Sequence, residues 1–292
     1  FVDIASDTYN LCSEKLEIKL AHAKKNNLKL PKVVIPVHLC GQSCEMDKIY
    51  LLSQEYGFSI IEDASHAIGG KFKGRPIGSC TYSDITIFSF HPVKIVTTAE
   101  GGVATTNSLQ LAEKMRLLRS HGITRDSALM TEQEHGSWYY QQIALGYNYR
   151  MTELQAALGN SQMERLKIFV ANRHALSKRY NDLLEGQPLL LPYQLENTYS
   201  GLHLYVVRLQ LDSININHKN VFQLLRDQGI GVNLHYIPVH TQPYYKRMGF
   251  DDGDFPESER YYKEAISLPM FHGMTLEQQD TVVLTLSEIL KG

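Results

Sequence analysis

The chain has 292 residues, of which 43% are hydrophobic and 21% charged, and its formal net charge is −2. This length allows one large core or two modest domains, and the composition is typical of globular rather than disordered proteins. The net charge does not indicate the broad positive surface that nucleic-acid binding requires, so an anionic substrate has to be held by a local site.

The N-terminal residues "FVDI", from Phe1, have the pattern of a strand that begins before the first residue, and the chain has no initiator methionine. This start predicts that the sequence is a fragment or that an N-terminal segment is absent. No apolar run approaches the ~18 residues of a membrane span, and no charged-then-apolar leader marks secretion. We therefore expect a cytoplasmic protein that does not act at a membrane.

The four cysteines, Cys12, Cys40, Cys44 and Cys80, are too few for a disulfide scaffold in a chain of this length. Together with His38, Cys40 and Cys44 raise the alternative of a metal site. No second pair follows at zinc-like spacing, so the sequence favours reduced, partly buried thiols and no metal.

The first half of the chain alternates strand-like and helical patterns. "KVVIPVH" is a β-branched run of the kind that is buried on both faces of a parallel sheet, and a helical pattern closed by a glycine follows it. The segments in order are Lys32–His38 (strand), Glu45–Gly57 (helix), Phe58–Asp63 (strand), Asp84–Phe90 (strand) and Gly101–Thr106 (strand). Their order predicts an α/β fold with a mostly parallel central sheet and helices on both faces.

The pattern changes near residue 152, where a long helical stretch begins. It predicts a helix over Thr152–Leu184 with a kink near Gly159, and then a smaller α+β unit. The elements predicted there are Leu202–Leu211 (strand), Lys219–Gly229 (helix), Ile230–Tyr236 (strand) and two more helices, the last at Leu276–Leu290. We therefore predict a large domain at residues 1–160, incomplete at its N-terminus, and a small C-terminal domain at residues 161–292.

Reactive side chains follow two of the predicted strands, where ligands of open α/β sheets bind. "FSIIED" delivers Asp63 and then His66, and "DITIFSF" delivers Ser89 and then Lys94. Each has an ordinary alternative: Asp63 as a helix cap, His66 as a polar turn residue, Ser89 as a small strand residue and Lys94 as a solvated loop lysine. Their joint occurrence favours a site.

A lysine paired with an aspartate suits Schiff-base chemistry with pyridoxal phosphate. The lysine amine condenses with an aldehyde once it is partly deprotonated, and the cofactor ring stores electrons while its nitrogen stays protonated. A carboxylate held against that nitrogen keeps the proton there, and hydroxyl and backbone N–H groups suit the phosphate. Lys94, Asp63 and Ser89 fit these demands in turn.

Four motifs carry a family resemblance: "IIEDASHAIGG", "FSFHPVK", "TTAEGGVATT" and "LGYNYRMTELQAALG". They resemble, in order, the motifs of the DegT/DnrJ/StrS sugar-nucleotide aminotransferases, a fold-type I pyridoxal phosphate family. Three further blocks, at Arg119–Asp126, His135–Arg150 and Gly229–Tyr245, resemble the branch that aminates the 4-keto sugar nucleotide of pseudaminic acid biosynthesis. The resemblance implies that L-glutamate is the amino donor.

The resemblance also implies roles for single residues. Lys94 matches the lysine that bonds to the cofactor and shuttles the proton, and Asp63 matches the carboxylate facing the pyridine nitrogen. His66 lies where relatives place Gln or His against the ring near its 3-hydroxyl, and Ser89 matches a phosphate contact. Relatives that dehydrate sugars have histidine in place of the lysine, so Lys94 favours amination.

Other implied residues lie further along the chain. Asn148 matches an asparagine that reaches the cofactor phosphate of the neighbouring subunit, which implies a homodimer with shared active sites. His235 and Tyr236 resemble a loop lining the sugar-nucleotide pocket, and Arg150 is a further substrate-binding candidate.

The departure from the family is at the front of the chain. Relatives carry, before the "FVDI" strand, a Gly/Ser/Thr-rich turn and helix that bind the cofactor phosphate, and this sequence does not contain them. Two alternatives stay open at this point. One is another nucleotide-ketosugar aminotransferase, of the 3-amino or aminoarabinose type, and the other is a catalytically idle truncated homologue.

Overall fold

The computed structural model describes residues 1–291. The helices within these residues are α1 to α9: Ser13–Lys25, Met46–Tyr56, Leu109–Arg119, Glu153–Glu164, Leu166–Leu184, His218–Asp227, Pro243–Lys246, Pro256–Glu264 and Leu276–Lys291. The strands are β1 to β12: Val33–Val34, Ser59–Asp63, Lys71–Phe72, Arg75–Pro76, Ile85–Ser89, Gly102–Thr105, Ile123–Thr124, Gln141–Gln142, Leu189–Leu190, Thr198–Tyr199, Tyr205–Leu209 and Ala265–Leu268. Among the helices of residues 1–291, none combines the length and apolarity that crossing a bilayer requires.

The largest sheet has the strand order β1-β2-β5-β6. β1 pairs with β2 and β2 with β5 in parallel, whereas β6 is antiparallel to β5. The predicted mixed α/β fold with a mostly parallel sheet is therefore confirmed. In the register of β2 and β5, Asp63 lies opposite Ile87, so both strands end at the same edge.

Local sequence signals set the helix ends near the sheet. α2 ends at Gly57, which adopts the left-handed conformation (φ 76°) that a residue with a side chain avoids. α4 begins with a capping box, in which Thr152 accepts from the Gln155 N–H and the Gln155 side chain accepts from the Thr152 N–H. These caps satisfy backbone groups that a helix end otherwise leaves without partners.

The expectation that "KVVIPVH" is buried on both faces was wrong. Val33, Ile35 and Val37 are 42%, 54% and 43% exposed, while Val34 between them is buried. The run contributes β1 and an isolated bridge between Val37 and Asp63, at the edge of the sheet. One face packs with α1 and α2, and no element within residues 1–291 covers the other.

The long helix predicted over Thr152–Leu184 is two helices, α4 and α5, and the break is at Arg165 rather than at Gly159. Gly159 lies inside α4, where a Cβ would come within 2.8 Å of Thr98 Cγ2. Its role is therefore close packing of the helix on the loop that follows Lys94.

Four other regions also differ from the prediction. The segment Ile230–Tyr236 is extended but not a strand, because only Asn233 pairs, in an isolated bridge with Ser267. "FVDI" likewise contributes only a bridge between Ile4 and Leu11. Conversely, α1 and β12 were not predicted, and β12 is the main partner of β11.

Separate apolar cores lie in the two halves of the chain, and α5 contributes to both. Phe169 and Val170, near its start, pack with Ile68 of the first half. Tyr180, further along, belongs to the core formed with α6, α9, β11 and β12. This separation supports the predicted division near residue 160, which stays a prediction.

Candidate functional site

The ends of two parallel neighbouring strands bring three predicted site residues to one edge of the sheet. β2 ends at Asp63 and β5 ends at Ser89. Lys94 follows β5 in a turn where its N–H donates to the His91 carbonyl at 2.9 Å. This is the edge at which open α/β sheets bind ligands.

Lys94 is half-buried, and its amine is not a simple solvated ammonium. Burial lowers the pKa of Lys94, and the negative charge of Asp63 opposes the shift. A lowered pKa increases the neutral fraction of the amine near pH 7, and only the neutral amine is a nucleophile or a base. The alternative of a solvated loop lysine is therefore not supported by the geometry.

Asp63 is held by the turn that follows its strand. Its Oδ1 accepts hydrogen bonds from the Ser65 N–H at 3.0 Å and from the Ser65 hydroxyl at 2.5 Å. Both bonds go to one oxygen, so Oδ2 takes none from the residues described and is left for another donor. This carboxylate is fixed in orientation while one of its oxygens is kept available.

His66 is buried beside these groups, with 6% of its surface exposed. Burial, and then the positive charges of Lys94 and His235, lower the pKa of His66 to about 3. Its Nε2 lies 3.5 Å from the Tyr236 hydroxyl, and its buried Nδ1 has no hydrogen-bond partner within residues 1–291. The ring is therefore neutral at physiological pH.

The loop containing His235 and Tyr236 borders the same cluster. His235 Nδ1 lies 2.7 Å from the Ser267 hydroxyl, and the Tyr261 hydroxyl donates to the His235 carbonyl at 2.8 Å. Tyr236 is 52% exposed, so its ring is available to a ligand. The structure thus brings both predicted loop residues near Lys94 and His66, although not as part of a strand.

Within residues 1–291, the other three predicted site residues form no hydrogen bond with Lys94, Asp63 or His66, although Ser89 ends β5 at the same edge of the sheet. Ser89 Oγ accepts from the His91 N–H at 3.4 Å. Asn148 and Arg150 are exposed on the loop before α4, where Asn148 forms a bridge with Ser120. The roles assigned to these three residues stay predictions.

Two residues at the site were missed by the sequence analysis. His203 is buried just before β11, and its ring centroid lies 4.5 Å from that of His66. Arg173 of α5 is buried, and its Nη1 donates to the carbonyls of Leu202, His203 and Met270 at 3.0–3.1 Å. A lone histidine before a strand gives no pattern that reveals such a contact.

A buried polar pair supports the strand that carries Asp63. His38 Nδ1 accepts from the Cys44 N–H at 3.1 Å, so the ring proton is on Nε2, 2.8 Å from Glu62. Both ring nitrogens are thus used within the protein. Among residues 1–291, no group of three or more His, Cys, Asp or Glu side chains is arranged to hold a metal.

Close packing around the His66 turn leaves no room for side chains at two glycines. A Cβ on Gly41 (φ 107°) would lie 2.7 Å from the Leu202 nitrogen and 2.9 Å from the His66 carbonyl oxygen. A Cβ on Gly69 (φ 80°) would lie 2.8 Å from Val170 Cγ2 of α5. Both positions combine a left-handed backbone with direct contact, which favours glycine.

These residues fit the pyridoxal phosphate predicted from the sequence. The site offers an amine with a lowered pKa, a fixed carboxylate with a free oxygen, and a neutral imidazole whose Nε2 lies 3.5 Å from the Tyr236 hydroxyl. An aldehyde, a protonated pyridine nitrogen and an aromatic ring with a phenolic oxygen are the groups that such a set accommodates.

The two buried histidines predict that the protein loses stability in mild acid. Burial and neighbouring cations lower the pKa of His66 to about 3 and of His203 to about 2. Below about pH 6.5 the unfolded chain binds protons that the folded rings do not, so the free energy of unfolding falls as pH falls. Each ring contributes a loss of about 2 kcal/mol between pH 7 and pH 5.

Urea unfolding of the native protein and of His203→Phe at both pH values measures this effect. The loss between pH 7 and pH 5 is expected to be smaller in His203→Phe by the contribution of one ring. His22→Phe, at an exposed position of α1, is the control and is expected to behave as the native protein. An equal pH dependence in His203→Phe and the native protein would contradict the prediction.

Sequence comparison gives consistent matches along the chain. The profile of the DegT/DnrJ/EryC1/StrS aminotransferase family matches residues 1–287. The spore coat polysaccharide biosynthesis protein SpsC of Bacillus subtilis is 37% identical over 295 residues, covering 100% of this chain and 73% of that protein. The UDP-4-amino-4,6-dideoxy-N-acetyl-beta-L-altrosamine transaminase of Campylobacter jejuni is 33% identical over 297 residues, with 100% and 74% covered.

The fold is also shared with a solved structure. PseC of Helicobacter pylori, described as an aminotransferase involved in pseudaminic acid biosynthesis, superposes with a TM-score of 0.87. The two chains are 26% identical, and the alignment covers 100% of this chain and 73% of PseC.

Proposed function

The chain belongs to the DegT/DnrJ/EryC1/StrS aminotransferase family, and on this premise we propose that it moves an amino group from L-glutamate to a UDP-linked 4-keto sugar. The acceptor is a 2-acetamido-2,6-dideoxy hexulose of the kind used in pseudaminic acid biosynthesis. The protein is a pyridoxal phosphate-dependent sugar aminotransferase of fold-type I.

One observation carries the proposal for the site: a half-buried lysine with a lowered pKa lies near a fixed carboxylate and a neutral histidine. Bound there, pyridoxal phosphate supplies an aldehyde that reacts with amines and a ring that stores an electron pair. Lys94 would hold the cofactor through Nζ, and its amine would take up or release a proton at the substrate carbon. Its lowered pKa makes it a base in one direction and an acid in the other.

Asp63 and His66 orient the cofactor in this proposal. Asp63 would hold the protonated pyridine nitrogen through Oδ2, because Oδ1 already accepts hydrogen bonds from Ser65. A carboxylate close to that nitrogen would hold the proton there by charge attraction. His66 forms a wall of the ring site, and Ser89 contacts the phosphate.

The sugar nucleotide is expected at the exposed side of the cluster. Tyr236 is half-exposed there, and His235 is fixed by Ser267 and Tyr261. Identity of 33% to the Campylobacter jejuni transaminase, whose name states the amino sugar it forms, supports a 4-keto acceptor. Arg150 is a further candidate for the diphosphate, since its guanidinium is exposed.

We also propose a homodimer with shared active sites, in which Asn148 contacts the cofactor phosphate of the neighbouring subunit. The exposed apolar side chains around it support this arrangement: Trp138 is 70%, Leu145 is 91% and Tyr149 is 73% exposed. Exposed apolar surface of this kind marks an interaction site.

Shared sites predict complementation between two inactive variants. Lys94→Ala and Asn148→Ala are each expected to have little activity. When the two variants are mixed, partly unfolded and refolded, about half of the dimers contain one chain of each, and one of the two sites in such a dimer has both native residues. The mixture is therefore expected to recover up to about a quarter of native turnover. Turnover of the mixture no higher than that of the separate variants would contradict the shared site.

The reaction itself is tested in two steps with the purified protein loaded with pyridoxal phosphate. L-Glutamate is expected to bleach the visible absorbance band, and the correct nucleotide ketosugar is expected to restore it. The acceptor panel contains the proposed hexulose, a 3-keto sugar nucleotide and a UDP-4-keto pentose of the aminoarabinose type. Absence of bleaching would favour the catalytically idle alternative.

A different acceptor is the second candidate. The 37% identity to SpsC, named for spore coat polysaccharide biosynthesis, favours it. Restoration of the band by a 3-keto sugar or by the pentose, but not by the hexulose, would establish this alternative.

We place this reaction in the cytoplasm. The four cysteines are free thiols, which suits a reducing compartment.

A further inference from the structure

His66 and His203 form a pair of buried rings at the floor of the candidate site. Each is 6% exposed, and the two ring planes are inclined at 49° with their centroids 4.5 Å apart. The Nδ1 atom of each ring is buried without a hydrogen-bond partner in residues 1–291. Two unpartnered nitrogens in adjacent rings are unusual, because buried polar atoms are nearly always paired.

The charges around the pair keep both rings neutral. Lys94, His235 and Arg173 face His203, and the first two also face His66. Asp63 is the carboxylate that acts on His66, and its influence is smaller than that of burial. Protonating either ring would add a buried cation to a site that already contains cations.

A neutral imidazole carries one N–H, and the packing indicates which nitrogen bears it in His66. A buried N–H without an acceptor costs more than a buried lone pair without a donor, and orphaned N–H groups are correspondingly rare. The proton therefore belongs on Nε2, which lies toward the Tyr236 hydroxyl, and Nδ1 is left as a bare lone pair.

We propose that His203 is a positioning residue that covers Nδ1 of His66, excludes water and acceptors from it, and thereby holds His66 as a neutral Nε2–H donor. This inference rests on the proposed function in that His66 would line the cofactor site. It extends that function because it assigns a role to His203 and a single protonation form to His66.

The backbone around His203 is built to hold the ring in place. Arg173 Nη1 donates to the His203 carbonyl at 3.0 Å and also to the carbonyls of Leu202 and Met270. Gly41 brings its loop against the backbone of both histidines, where a Cβ would lie 2.9 Å from the His66 oxygen and 3.1 Å from the His203 nitrogen. The ring pair is therefore set by three segments of the chain.

Nitrogen NMR of the ¹⁵N-histidine-labelled full chain tests the proposal, with His66→Gln used to assign the His66 signals among the 12 histidines. In the native protein His66 is expected as the neutral Nε2–H form from pH 5 to pH 8. His203→Phe, which keeps a ring of similar size, is expected to preserve that form. His203→Glu places a hydrogen-bond acceptor beside Nδ1 of His66. It is expected to move the ring proton of His66 from Nε2 to Nδ1 and to raise the pKa of His66 by more than one unit.

A His66 Nδ1–H form in the native protein overturns the proposal, and so does a His66 signal that is the same in His203→Glu as in the native protein. His272→Phe, an exposed exchange beside Phe169, is the matched control and is expected to leave His66 unchanged. If His203→Glu does not fold, His203→Asn, whose side chain is smaller and uncharged, takes its place, with the same shift of the proton toward Nδ1 expected.

A second readout uses the protein loaded with pyridoxal phosphate. The pH midpoint of its visible absorbance change is expected to match that of the native protein in His203→Phe and to shift by at least one pH unit in His203→Glu. Equal midpoints in all three proteins overturn the proposal. Failure of glutamate to bleach the band, with the NMR result as expected, would reject the aminotransferase reaction but not the histidine pair.

Discussion

Lys94→Ala is expected to abolish the visible absorbance band of bound pyridoxal phosphate and to reduce turnover by at least about 10³-fold. Loss of general acid–base catalysis alone costs roughly 10²–10⁴-fold, and the covalent attachment point is lost as well. The structure supports this effect because the amine is half-buried beside Asp63 and its pKa is lowered by that burial.

The measurement is an absorbance spectrum and a single-turnover assay with glutamate. Lys178→Ala is the matched control, since Lys178 is exposed on α5 and, among the residues that the structure describes, pairs with Asp182 alone, one helical turn away. It is expected to keep the band and the native rate. A visible band that persists in purified Lys94→Ala would reject Lys94 as the attachment residue.

Glu62→Leu is expected to reduce the free energy of unfolding by about 3–5 kcal/mol, the usual cost of breaking a buried polar pair by removing one partner. Glu62 is 5% exposed and His38 is fully buried. Burial alone raises the pKa of Glu62, but hydrogen bonds from His38, Ser83 and Thr86 outweigh it and lower the pKa. Leucine leaves the buried His38 Nε2–H without its acceptor and removes the carboxylate to which Ser83 and Thr86 donate.

Urea unfolding at pH 7 measures the change, with Glu17→Leu at an exposed position of α1 as the control. The control is expected to stay within about 0.5 kcal/mol of the native protein. Glu62→Gln, which retains acceptor capacity, is expected to fall between the two. A loss below about 1 kcal/mol for Glu62→Leu would show that the pair does not stabilise the strand leading to Asp63, because the usual cost is several times larger.

The central part of the site could be predicted because it depends on local patterns joined by one rule of sheet geometry. Asp63 and Lys94 follow strands that are apolar and short, and parallel neighbouring strands present their ends at one edge. The fold class followed from the same alternation of strands and helices. These features need no knowledge of distant contacts.

The parts that could not be predicted depend on contacts far apart in sequence. His203 meets His66 across 137 residues, and nothing near either residue indicates the other. Val33 and Ile35 are apolar but exposed, because β1 lies at the edge of the sheet. The sequence pattern does not distinguish an edge strand from a central one. The extended segment at Asn233 has strand-like composition, yet β12 takes the place beside β11.

The position of α5 limits how such enzymes can be recombined to change their sugar preference. Val170 packs against Gly69, near His66, and Arg173 donates a hydrogen bond to the His203 carbonyl. Tyr180, further along the same helix, lies in the C-terminal core. A chimera joined at residue 160 therefore imports a foreign helix against the Gly69 turn and His203, whereas one joined after Leu184 places the native helix in a foreign core. Exchange of substrate specificity between relatives has to redesign one of these two faces of α5.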